Sequence, residues 1–172
     1  KKTRLNGLLQ SVAFSPYIVS LASIALLWMW LMNNDFGFLN ALLAVFGIPA
    51  IDWLGSPKFA LMSLIIINVW KSVGYNALIL VSALQGIPPH LYEAARLDRA
   101  NTWRTFSRIT FPMISPTVFF LALVDVIAAF KVFETIQIIT QGGPQNSTNT
   151  LVFSLYEYGF QFYKVGYAAA IG

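Results

Sequence analysis

Cysteine is absent from the 172 residues and histidine occurs once. A disulfide framework, a thiolate metal site and a histidine-based metal cluster are therefore excluded. Charge is also scarce, at 10% of residues, where soluble domains carry roughly 25%. Nothing reads GxxxxGK followed by Ser or Thr, so the chain holds no P-loop with which to bind ATP. GxSxG, HExxH and CxxC are missing too. Asp and Ser inside the apolar runs form no paired motif of an intramembrane protease, and His90, beside Pro89, reads as a surface residue. The net charge of +4 does not point to nucleic acid, because the basic residues flank apolar runs and do not gather on a soluble face.

What is present is apolar: 57% hydrophobic residues and a mean hydropathy of +0.65, the composition of an integral membrane protein. Residues 12–32 are apolar except for Ser and Pro16, about the 20 residues that a bilayer helix needs. Tyr17, Trp28 and Trp30 lie near its ends as interfacial anchors do, and Pro16 falls in the expected first turn. Residues 33–57 are mixed and too short in their apolar part to span; they predict an interfacial helix and loops. A second span is expected over 58–84, with Lys71 near its middle, where a charge costs about 3 kcal/mol and should face protein or water. A third is expected over 113–139, interrupted by Asp125, Lys131 and Glu134. Lys131 and Glu134, three apart, would share a helix face and pair. Thr140–Thr150 is a turn-rich polar loop. The aromatic cluster from Tyr156 to Tyr163 suits an interface, and residues 163–172 begin another span. The chain starts at Lys1 without Met and stops within an apolar run, as a piece of a longer protein does. The first apolar run is too long for the h-region of a signal peptide.

Between the second and third spans lies a polar, basic island: Pro88-Pro89-His90-Leu91-Tyr92-Glu93-Ala94-Ala95-Arg96-Leu97-Asp98-Arg99-Ala100-Asn101, running through Arg104 and Ile109 to Pro112 and Pro116. It predicts a short helix, a turn over 98–101, and a second short helix over 102–109 that Pro112 should stop. Lys1, Lys2 and Arg4 at one end, and Arg96, Arg99, Arg104 and Arg108 here, place both basic loops on the cytoplasmic side, two spans apart. Only Lys58 lies in the loop between the first two spans and no basic residue lies in 140–150, so that loop is expected outside.

Glu93-Ala94-Ala95, Asp98, Ala100, Ile109, Pro112 and Pro116 resemble the EAA loop of the membrane subunits of bacterial ABC importers, in the form of the carbohydrate branch that includes maltose and glycerol-3-phosphate permeases. Trp70-Lys71 and Tyr75-Asn76 ahead of the island, and Gly142-Gly143-Pro144 with Thr148 and Thr150 after it, are similar to that branch too. One position departs: the family usually has Gly before Ala100, and here stands Arg99, which resists the left-handed turn that Gly permits.

The resemblance implies an all-α membrane protein, a polytopic bundle of transmembrane helices with a cytoplasmic coupling-helix loop at 86–112, in the bacterial cytoplasmic membrane. It implies a permease subunit that carries a sugar or sugar-like solute and is not itself an enzyme. It has no cofactor of its own, since ATP and Mg are bound by partner ATPase subunits. Implied partners are two ATPase chains, a second and different permease chain, an extracytoplasmic solute-binding protein and membrane lipid. Glu93, Ala94, Ala95, Asp98, Arg99, Ala100 and Pro112 would then couple to the ATPase: small Ala94 and Ala95 allow close backbone approach, and Glu93 and Asp98 meet cations. The outer loop with Gly142, Gly143 and Pro144, together with 33–57, would receive the solute-binding protein. Candidates for the solute path are Trp70, Lys71, Tyr75, Asn76, Asp125, Lys131, Glu134 and Gln137. For the four charged ones, pairing between helices competes with lining the path. An ion-coupled secondary transporter or channel is the alternative reading; it needs no docking loop but needs an ion site, for which the charges of the third span are the place to look. A structural scaffold would account for the loop but not for the intramembrane charges.

Overall fold

The computed structural model describes the backbone of residues 4–172 and the side chains of residue 7 and of residues 10–172. Lys1 and Lys2, counted among the basic residues above, lie outside the described residues. The elements in chain order are α1 (Arg4–Ile18), α2 (Leu21–Leu31), α3 (Phe38–Val45), α4 (Pro57–Gln85), α5 (Pro89–Leu97), α6 (Thr102–Thr105), a π-turn (Phe106–Thr110), α7 (Phe111–Phe130), α8 (Glu134–Ile139), α9 (Leu151–Tyr156), a second π-turn (Glu157–Gln161) and α10 (Val165–Ile171). Among the described residues there is no strand, so the chain is all-α.

Three expectations are corrected. The apolar stretch 12–32 is not one helix: it breaks at Val19-Ser20 into α1 and α2, neither of which crosses a bilayer alone at 1.5 Å per residue. Pro16 sits near the end of α1, not at its start. Pro112 does not stop a helix. The chain stays helical from Thr102 to Phe130 because a π-turn widens the backbone just before the proline, with the Phe111 N–H reaching back to the Phe106 carbonyl. A wider turn gives the pyrrolidine ring room that an α-turn denies it.

Two other prolines lie within helices, and both are preceded by serine. Pro16 has no N–H for the Val12 carbonyl, and Ser15 Oγ donates to that oxygen instead at 2.9 Å. Pro116 likewise leaves the Pro112 carbonyl free, and Ser115 Oγ donates to it at 2.9 Å. In each case a serine hydroxyl thus replaces the lost backbone donor. Ser115→Ala is expected to destabilise the protein by about 1–2 kcal/mol, while Ser115→Thr stays close to neutral. Thermal unfolding in detergent checks the pair, and equal loss in both would show that the hydroxyl is not the reason.

The chain forms two compact units. One comprises the residues up to Tyr17 together with Ser72–Ile127; the other comprises Ile18–Lys71 and Ala128–Gly172. In the first, α1 meets α4 at Gly74, where a Cβ would run into the Ala13 carbonyl. Only glycine permits that approach, and Tyr17 stacks on Tyr75 beside it, with ring centroids 4.5 Å apart.

In the second unit, buried Ile24, Met32 and Ile67 gather Trp28, Leu39, Trp53, Leu54 and Ile139. Leu64, Ile136 and Phe153 form a neighbouring cluster with Val132 and Phe133. Trp28, expected at an interface, is half-buried and packs against this cluster, edge-on to Trp70 at 5.5 Å. The segment 33–57 holds the expected short helix, α3, and is fastened by buried Asn40. Its Nδ2 donates to the carbonyls of Asn34 and Ile51, and its Oδ1 accepts from the Ile51 N–H and the Trp53 Nε1–H.

Candidate functional site

The island of 86–112 folds as a helical hairpin. Ile87 is buried, and Pro89 occupies the first turn of α5, where its missing N–H costs nothing. The helix closes in a Schellman turn: the Ala100 N–H bonds to the Ala95 carbonyl at 2.9 Å and the Arg99 N–H to the Arg96 carbonyl at 3.1 Å. That motif needs one left-handed residue after the helix. Arg99 supplies it with φ of +50°, so the turn forms despite the side chain. Asn101 then caps α6, its Oδ1 accepting from the Arg104 N–H at 2.7 Å. Across the hairpin, the Tyr92 and Thr110 hydroxyls bond at 3.1 Å.

A left-handed non-glycine residue costs about 1–2 kcal/mol. Arg99→Gly is accordingly expected to steady the turn by about 1 kcal/mol, part of the gain being returned as glycine's greater freedom when unfolded. Hydrogen exchange at the Ala100 amide should slow about fivefold, as 1 kcal/mol requires. Faster exchange would contradict the strain.

Between α5 and the following helical segment lies a concavity of about 530 Å³, lined by Leu91, Ala94, Ala95, Asp98, Ala100, Arg104, Thr105, Arg108 and Ile109. It brings together four of the proposed coupling residues, Ala94, Ala95, Asp98 and Ala100. Glu93 is exposed on α5 outside the lining, Arg99 serves the turn, and Pro112 lies beyond, behind the π-turn. Ala95 is buried within the hairpin, so only Ala94 of the pair is exposed. Sequence reasoning passed over Leu91, Arg104 and Arg108 as lining residues, although the spacings 91, 94, 95, 98 and 104, 105, 108, 109 are those of one helix face each. It also passed over Leu97, which is 85% exposed at the end of α5.

The polar-path candidates are divided between the two units. In the first unit, Asn76 Nδ2 donates to Asp125 Oδ2 at 2.7 Å. Within this unit Asp125 thus pairs with an amide. The buried Asn76 Oδ1 has no hydrogen-bond partner among the described residues, nor has Gln137 Oε1 in the second unit. Trp28 Nε1, which sequence reasoning placed at an interface and not on the path, is in the same position. Lys71 lies half-buried at the middle of α4. Lys131 and Glu134 do not share a helix: Lys131 follows the end of α7, and Glu134 opens α8, where a carboxylate suits the positive end of the helix dipole.

The loop 140–150 is tightly tied. Thr148 Oγ1 donates to the Gly143 carbonyl at 2.7 Å and lies 2.8 Å from Thr140 Oγ1. Thr150 Oγ1 donates to the Val132 carbonyl at 3.0 Å. Gly142 has φ of +81°, and a Cβ there would strike the Phe153 ring at 2.7 Å. Glycine is required at that position on both counts.

The sequence profile of the family described as "Binding-protein-dependent transport system inner membrane component" matches residues 1–172. The chain belongs to that family. Among family relatives it is 38% identical to the sn-glycerol-3-phosphate transport system permease protein UgpA of Pectobacterium atrosepticum, over 97% of this chain and 57% of that one. It is 33% identical to the trehalose/maltose transport system permease protein MalF of Thermococcus litoralis, over 96% and 57%. It is 38% identical to the probable ABC transporter permease protein YurN of Bacillus subtilis, over 94% and 56%. In solved structures, a chain of a bacterial ABC transporter involved in the import of the acidic polysaccharide alginate superposes with a TM-score of 0.89 at 26% identity, covering 100% of this chain and 60% of that one. The same holds for the alginate ABC transporter in complex with an alginate pentasaccharide-bound periplasmic protein. The chain spans a little over half the length of the curated relatives it matches. As a binding-protein-dependent inner-membrane component it is an all-α membrane protein, and α4 and the helical run from Thr102 are long and apolar enough to cross a bilayer.

Proposed function

We propose that the chain is part of a permease subunit of an ATP-driven importer, carrying a sugar or sugar-like solute across the bacterial inner membrane. The observation that carries the reading is the α5–α6 hairpin. It is polar and basic, stands between two long apolar helices, is held by a Schellman turn and an Asn cap, and opens a concavity lined by small and charged residues. In a family described as binding-protein-dependent transport components, such a hairpin suits docking to a separate ATPase. ATP and Mg would be bound there, and this chain would need no cofactor of its own.

Glu93 and Asp98 would meet cations on the ATPase, exposed Ala94 would admit its backbone, and Leu97 would fill an apolar recess. The basic hairpin would be cytoplasmic, and the tied loop with Gly142, Gly143 and Pro144 would face outward, toward a solute-binding protein. A second, different permease chain and a pair of ATPase chains would complete the assembly. Asn76 with Asp125, and Gln137, offer neutral or acidic hydrogen-bonding groups to hydroxyls of a solute. Aromatic Trp70 and Tyr75 offer ring faces, and Lys71, Lys131 and Glu134 offer charge.

Uptake by vesicles holding the full-length protein tests the reading. Solute should enter only when ATP is present on the side of the hairpin, and should continue when ion gradients are collapsed. Uptake that needs an ion gradient and no ATP would instead favour a secondary transporter.

A further inference from the structure

The segment from Thr102 to Phe111 has two unlike sides. Arg104, Thr105, Arg108 and Ile109 line the concavity against α5. Away from it, Trp103, Phe106 and Phe111 form a continuous row: Trp103 stacks on Phe106 with centroids 5.9 Å apart, and Phe106 meets Phe111 at 6.2 Å. All three rings are exposed, Trp103 by 74%. This row is absorbed neither by the docking concavity nor by the hydrophobic clusters of the fold.

We propose that the Trp103–Phe106–Phe111 row anchors the hairpin at the boundary between the headgroups and the acyl chains of the bilayer. The occupant of this surface is lipid with anionic headgroups. Three observations converge on it. The row runs without a helical break into α7, a wholly apolar stretch apart from Asp125 and small polar residues, so it lies where the chain leaves the membrane. Tryptophan and phenylalanine on one side with arginine on the other is the distribution of an interfacial helix, and tryptophan prefers the headgroup level. The hairpin as a whole, with exposed Arg96, Arg99, Arg104 and Arg108, carries the juxtamembrane positive charge that attracts anionic headgroups over a Debye length. The inference rests on the membrane-subunit reading above and deepens it: a hairpin pinned at the membrane surface turns a push from a docked ATPase into tilting of α7, where an unpinned one would only swing.

The absence of cysteine permits a direct test. Trp103→Cys in the full-length protein, assembled with its partners in vesicles of phosphatidylethanolamine and phosphatidylglycerol, is labelled with a nitroxide. Its accessibility to oxygen and to a water-soluble nickel chelate is then measured. The expected label is reached by oxygen several-fold better than by nickel. Tryptophan fluorescence of the unlabelled protein, compared with Trp103→Phe, should show Trp103 quenched by lipids brominated near the headgroup. A label reached equally by nickel, or shielded from both probes by a protein partner, overturns the anchor. A functional arm uses Trp103→Gln. It should retain its ATPase chains at normal yield yet move several-fold less solute per ATP, and the wild type should lose part of that advantage when phosphatidylglycerol is omitted. Loss of the ATPase chains from Trp103→Gln would make the row a protein-docking surface and overturn the proposal. Recovery of the ATPase with an aqueous label would sink the anchor alone and leave the importer reading standing.

Discussion

Glu93→Lys is expected to lower the affinity of the permease for its ATPase by about a hundredfold, while the protein still enters the membrane and folds. Glu93 is exposed on α5, outside the concavity and away from the contacts that hold the hairpin together. The Schellman bonds, the Asn101 cap and the Tyr92–Thr110 bond all lie elsewhere, so charge reversal leaves the local fold intact. Breaking one side of a close interfacial charge pair costs about 2–5 kcal/mol, and about 3 kcal/mol corresponds to a hundredfold in affinity. The ATPase retained on affinity-purified Glu93→Lys protein measures the effect, with Glu93→Gln expected to fall between. Normal retention together with normal transport would remove Glu93 from the coupling surface.

The largest effect on stability is expected at Asn40. One amide satisfies four backbone or indole groups drawn from residues 34, 51 and 53, and the residue is 7% exposed. Asn40→Ala leaves those four groups without their partner at once. Each buried unsatisfied group costs about 1–3 kcal/mol, and water reaching the segment recovers part of it. A net loss of roughly 3–5 kcal/mol follows, in the range of broken buried networks. Asn40→Asp keeps the two acceptor contacts but sets a carboxylate oxygen against the Asn34 and Ile51 carbonyls, so it should be destabilising as well. Because Trp53 also packs on the Ile24–Met32–Ile67 cluster, the loss should reach the second unit as a whole. Thermal unfolding in detergent, followed by tryptophan fluorescence, reads it; an unchanged midpoint in Asn40→Ala would mean that the network is not what fastens residues 33–57.

Much of the architecture was legible because hydropathy and punctuation act locally. Long apolar runs could only be helices, and Pro88-Pro89 before Glu93-Ala94-Ala95 could only begin a short one. The turn at 98–101 was legible too, and Arg99 shows why residue preference is not residue requirement: two Schellman hydrogen bonds hold a left-handed arginine at a cost of about 1–2 kcal/mol. The misreadings share a cause. Pro112 reads as a helix stop only if the turn before it must be α, and the π-turn removes that condition. Residues 12–32 carry the composition of one span, but nothing in composition marks the break at Val19-Ser20. Lys131 and Glu134 have helical spacing, yet the helix ends between them. The Asn76–Asp125 bond joins residues 49 apart in sequence, a distance over which no periodicity carries information. The aromatic row at 103, 106 and 111 was hidden for a related reason, since the π-turn inserts a residue and breaks the 3.6-residue register that would have aligned it.

The most direct test of the account is recovery of the full-length chain from its native membrane in mild detergent, with every co-purifying protein identified. A P-loop ATPase and a second membrane chain should come with it, and the ATPase should be depleted in Glu93→Lys while the second membrane chain is retained. A chain recovered alone that transports solute without ATP would contradict the account.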